Sequence, residues 1–151
     1  MPEASPGPPP LPPGLEVYRP PELLGSTVLV VDDEASLRDQ LRRDLDALGY
    51  RAVEAGDAAA AQEVLAAGHV DAVILDLMLG GDDGFQLLAT LRDRHPGVPV
   101  TVLSAARTAS VHIRRAYELG ASSYFAKGNT PLAHLYSDLA ARMLDARARN
   151  R

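Results

Sequence analysis

An alternation limits what this 151-residue chain can fold into more than any other feature. Short apolar runs, rich in β-branched residues, lie at 28–31, 50–55, 72–75, 98–103 and 122–126, and a helix-like stretch follows each. Leu37, Leu41, Leu45 and Leu48 recur at the spacing of one helix face, and Gly49 stops them. An alanine-rich helix opens after Gly56 and Asp57, turns Val64 and Leu65 inward and ends at Gly68. Phe85, Leu87, Leu88 and Leu91 mark a third helix, which His95, Pro96 and Gly97 break. Thr108 fits the N-cap of a fourth, ended by Gly120. Thr130 fits the N-cap of a fifth, with Pro131 at its first position and Leu132, Leu135, Leu139 and Met143 as its apolar stripe. Strict alternation of strand and helix implies an α/β fold: a doubly wound, five-stranded parallel sheet with helices on both faces.

The run at 71–85, D-A-V-I-L-D-L-M-L-G-G-D-D-G-F, is central. Its apolar part does not alternate, so it reads as a strand buried on both faces. Asp76 interrupts it, and a carboxylate at the end of a buried strand is costly unless something compensates its charge. In open parallel sheets, ligands bind beyond the carboxyl ends of the strands. Asp32 and Asp33 end the first strand, Asp76 the third, Ser104 the fourth, and Lys127 follows the fifth. Taken singly, the acidic pair reads as a helix cap, Ser104 as a turn serine and Lys127 as a surface lysine. Their arrival at one sheet edge reverses those readings.

Other features narrow the function. The chain has no cysteine, which excludes thiolate metal sites, disulfides and cysteine nucleophiles. Its formal net charge of −5 argues against nucleic acid as a direct partner. No apolar run is long enough to span a membrane and no secretory signal pattern opens the chain, so a cytoplasmic protein is expected. Nine of the twelve prolines fall in residues 1–25, which predicts a disordered N-terminal tail, with docking of Leu11, Leu15, Val17 or Tyr18 as the lesser reading. The folded domain is expected over 26–147, with a short tail at 148–151. His69, His95, His112 and His134 lack ligand spacing and read as solvated. Asp82 and Asp83 read as turn acids, and Arg142, Arg147, Arg149 and Arg151 as an exposed helix end.

These strand-end residues give the chain its resemblance to the receiver domain of two-component response regulators. The acidic pair Asp32–Asp33, Asp76, Ser104 and Lys127 stand in that family's order, and D-G-F at 83–85 also fits. The resemblance covers about residues 26–147 and implies a flavodoxin-like sheet of order 2-1-3-4-5. It departs from the family at Gly80 and Gly128, where proline is usual, and a differently shaped loop is expected after Lys127.

The resemblance further implies that Asp76 is the phosphorylated nucleophile and that Lys127 and Ser104 contact the phosphoryl group. It implies Mg²⁺ held by Asp33, Asp76 and the Met78 carbonyl, with Asp32 acting through water. Ser104 and Tyr124 would form the switch, altering the face made by helix four, strand five and helix five. Met78 and Ala106 would flank the path of the hydrolytic water, and being apolar they imply slow self-dephosphorylation. Partners implied are a sensor histidine kinase or phosphotransfer protein and a downstream protein target, with a homodimer through the helix-four to helix-five face as a further expectation. No turnover of an external small molecule and no output domain are expected. The competing reading is a receiver-like interaction module that is not phosphorylated. A D-x-D phosphatase is disfavoured because Met78 occupies the position of the second acid, and a dinucleotide binder because no G-x-G-x-x-G follows the first strand.

Overall fold

The computed structural model describes residues 11, 15–79, 83–105 and 110–150. The strands are β1 (Thr27–Val31), β2 (Arg51–Ala55), β3 (Ala72–Leu75), β4 (Val100–Ser104) and β5 (Ser123–Ala126). The helices are α1 (Ala35–Ala47), α2 (Ala58–Ala67), α3 (Asp83–Arg94), α4 (Ser110–Glu118) and α5 (Leu132–Arg149). All strand pairs are parallel, in the order β2-β1-β3-β4-β5, so the expected architecture is the observed one.

Successive residues of a strand point to opposite faces, and the sheet uses this to build two cores. Val28 and Val30 of β1 pack with Leu41 and Leu45 of α1 and with Leu135, Leu139 and Met143 of α5. Leu29 and Val31 pack on the other face, against Leu65 of α2, Leu87, Leu88 and Leu91 of α3 and Ala116 of α4. Burial on both faces explains why β1, β3 and β4 read as continuous apolar runs. Asp57 caps α2 by accepting from Ala60 N–H at 2.7 Å.

The sequence reading needs correction in several places. The folded part begins before Ser26. Leu15 is 9% and Leu23 0% exposed, both in the α1–α5 core, with Leu11 and Val17 packed against it. Tyr18 N–H donates to Ser137 Oγ at 3.1 Å, and Arg147 donates to the Glu22 carbonyl at 2.6 Å. Scattered apolar residues therefore anchor residues 15–25, where the prolines allow one short 3-10 turn, Pro21–Leu23, but no regular helix or central strand. At the other end α5 continues through Arg149. Thr130 does not cap α5. Pro131 holds the N-cap position with ψ 134° and no side-chain cap bond, so the helix starts one residue later. His112 is packed rather than solvated, its ring edge-on to Phe85 at 5.9 Å between centroids. The expectations placed on Gly80, Asp82, Ala106 and Thr108 lie outside the described residues, as do those on residues 1–10 and 12–14. Among the described residues no helix is long and apolar enough to cross a membrane.

Candidate functional site

Strand register brings the polar residues together. Val31 of β1 lies beside Leu75 of β3, and the backbone N–H of Asp76 donates to the Val31 carbonyl at 2.9 Å. Asp32 and Asp76 thus leave neighbouring strands at one level. On the other side Ser104 pairs with Ala126, and Lys127 N–H donates to the Ser104 carbonyl at 3.0 Å. Main-chain pairing alone therefore carries all four residues to the carboxyl edge.

Their side chains then meet. The Lys127 ammonium lies 2.9 Å from Asp76 Oδ2, 2.7 Å from Asp32 Oδ2 and 3.8 Å from Glu34 Oε2. Asp76 Oδ1 accepts from the Ser104 hydroxyl at 3.1 Å and from the Met78 backbone N–H at 3.0 Å. Asp32 Oδ1 accepts from Glu34 N–H at 2.9 Å. Asp32 and Asp76 are 2% and 3% exposed, and Ser104 is fully buried, whereas Asp33 is exposed. Burial pushes the Asp32 carboxyl above the usual range, against the lowering effect of its bonds to Lys127 and Glu34 N–H. Burial also pulls the Lys127 ammonium down, but its bonds to Asp32 and Asp76 outweigh this and leave it above the ordinary lysine value.

Carboxylate oxygens of Asp32, Asp33 and Asp76 approach within 4.8 Å of one another. A cluster of oxygen donors from three acids, one of them facing solvent, fits a hard divalent cation that keeps several waters. The capping role that Asp32 and Asp33 would have singly is not the one they take. Glu34 holds the N-cap of α1, and no side chain caps that helix. The Met78 side chain is 46% exposed beside the cluster.

Gly128 has φ +81°, so a left-handed residue turns the chain out of β5 where the family usually has proline. Lys127 reaches both acids through that turn. Gly84, the glycine of D-G-F, is needed for packing, because a Cβ there would collide with the backbone of Leu77 in the loop after Asp76. Tyr124 is half-buried. Among the described residues its hydroxyl has no hydrogen bond of good geometry. Burial raises its pKa, while the nearby Ser104 hydroxyl opposes the rise.

Two participants escaped the sequence reading. Glu34 adds a third carboxylate near Lys127, and the run D-D-E could have signalled it. Arg38 donates to the Asp32 carbonyl at 2.7 Å and pairs with Glu54 at 3.4 Å, bracing the acidic loop from α1. A lone arginine on a charged helix face gives no comparable signal.

A five-stranded sheet of this order, with buried acids and a lysine at its carboxyl edge, defines a class, and the comparisons agree. The family model for the response regulator receiver domain matches residues 28–137, and the chain belongs to that family. It is 35% identical over 121 residues to the transcriptional regulatory protein YvrH of Bacillus subtilis, covering 78% of this chain and 47% of that protein. The chain thus spans about half the length of that curated relative. Among solved structures, the beryllofluoride-activated receiver domain of Klebsiella pneumoniae RstA is 30% identical, with a TM-score of 0.71 over 78% of this chain and 98% of that one. A signal receiver domain from a Pseudomonas fluorescens HD-domain protein is 25% identical, with a TM-score of 0.76 over 84% and 93% of the two chains.

Proposed function

We propose that this domain accepts a phosphoryl group on Asp76 and signals by the change that follows. One observation carries the reading: both oxygens of a buried carboxylate are already oriented, one by Lys127 and the other by Ser104 and Met78 N–H. Phosphoryl transfer needs alignment and charge neutralisation more than acid–base chemistry. The donor is a phosphohistidine of a sensor kinase or phosphotransfer protein. A new bond forms between an Asp76 oxygen and phosphorus as the phosphorus–nitrogen bond breaks, and the departing imidazole takes a proton from solvent. Lys127 neutralises one phosphoryl oxygen and the Ser104 hydroxyl bonds another. Asp33, Asp76 and the Met78 carbonyl would hold Mg²⁺, with Asp32 acting through water, and the ion would supply the remaining charge neutralisation.

Ser104 links the acceptor to Tyr124. A hydroxyl drawn to the phosphoryl group changes the contacts open to the Tyr124 ring, which shifts the population of the α4–β5–α5 face that a downstream protein reads. Beryllofluoride with Mg²⁺, followed by ¹⁹F NMR, tests the acceptor site. Bound fluoride signals are expected that disappear with EDTA and with Asp76→Asn. Absence of bound signals in the wild type would favour an interaction module that is never phosphorylated.

A further inference from the structure

The amino-terminal edge of the sheet, opposite the acids, holds a recess of about 300 Å³. It lies between the loop before β4 and the turn before β5, and Arg92, Arg142, Arg149 and Ser122 line it with no acidic residue among its walls. Three guanidinium groups in one recess stand out in a chain of net charge −5.

Helix C-termini attract cations, and that accounts for part of this placement. It does not account for how the donors are arranged. Arg92 is fixed by donating to the carbonyls of Pro96, at 2.8 Å, and Gly120. Gly120 has φ +104°, and a Cβ there would collide with Arg92 Nε, so the backbone is shaped to let this arginine lie against it. Carbonyl partners leave its charge uncompensated. Arg142 uses Nε for Ser123 Oγ at 3.2 Å and Asp138 at 3.4 Å, while its two terminal nitrogens have no partner among the described residues. Arg149 has no partner among them either. Ser122 Oγ accepts from Val100 N–H at 3.3 Å, which leaves its own proton free to donate.

We infer that this recess binds a small phosphate-bearing anion. A planar carboxylate satisfies one guanidinium fork, whereas the oxygens of a phosphate accept from several directions at once. The recess is at the small end of ligand sites, and no aromatic side chain lines it to stack a base, so the ligand is smaller than a nucleotide. The site is independent of phosphoryl acceptance by Asp76.

The test titrates the whole chain with inorganic pyrophosphate in EDTA, without Mg²⁺, by calorimetry and ¹H–¹⁵N NMR. Saturable binding is expected, with shifts at the amides of Gly97, Gly120 and Ser122 and none at Asp76. Arg149→Gln, on an exposed helix end, is expected to weaken binding about tenfold, and Ser122→Ala to weaken it less while leaving the charge intact. Non-saturating shifts, unchanged affinity in Arg149→Gln, or equally tight binding of citrate would each overturn the assignment.

Discussion

At the carboxyl edge, Asp32 and Asp76 are almost fully buried and share one ammonium. At the amino edge, Arg92 and Arg149 are exposed and Arg142 is half-buried. The acids lie in the loops that leave β1 and β3 and the arginines on α3 and α5, at opposite ends of one sheet, and the two sets handle charge in opposite ways. The acids are desolvated, so each depends on its neighbours. The arginines keep more of their water: Arg92 leans on carbonyls, Arg142 on Ser123 and Asp138, and Arg149 on no described residue. The contrast shows why an arrangement at one edge can be poised for chemistry while the other can do no more than bind. Charge taken out of water is expensive, and a cation that offsets that cost has a large effect on it.

Mutations should therefore separate the two edges. The largest effect is expected for Lys127→Ala in Mg²⁺-free buffer, a loss of about 3 kcal/mol by urea unfolding, because two buried carboxylates lose their ammonium. The lysine pKa is raised on folding, so its contribution is complete below the ordinary lysine value and lost only as pH climbs past it. The loss should then be constant across neutral pH, and an unaffected midpoint would break the comparison. Next comes Gly120→Ala, at about 2 kcal/mol, from left-handed strain and displacement of Arg92. Gly128→Ala is expected to cost least, about 1 kcal/mol, since φ is similarly positive but nothing lies within 4 Å of the added methyl. Equal losses at the two glycines would mean that Arg92 is not packed against Gly120.

Much of this was legible beforehand, for identifiable reasons. Parallel topology follows from alternation, and topology alone delivers Asp32, Asp76, Ser104 and Lys127 to one edge, so the acidic cluster could be read without coordinates. The N-terminal segment could not be read in this way. Leu15 and Leu23 carry no periodicity, and only the α1–α5 groove they fill gives them a place. Thr130 misled because Ser/Thr followed by proline is a common helix start, while here Pro131 stays extended. Arg38 and Arg92 were hidden because they donate to backbone carbonyls, which no side-chain pattern records.

The central claim is that Asp76 is an acceptor primed by its neighbours. Intact-mass measurement after incubation with acetyl phosphate and Mg²⁺, wild type beside Asp76→Asn, tests it most directly. A single phosphoryl adduct in the wild type, lost in the variant and on removal of Mg²⁺, is the expected result. No adduct in the wild type, or the same adduct in Asp76→Asn, would contradict it.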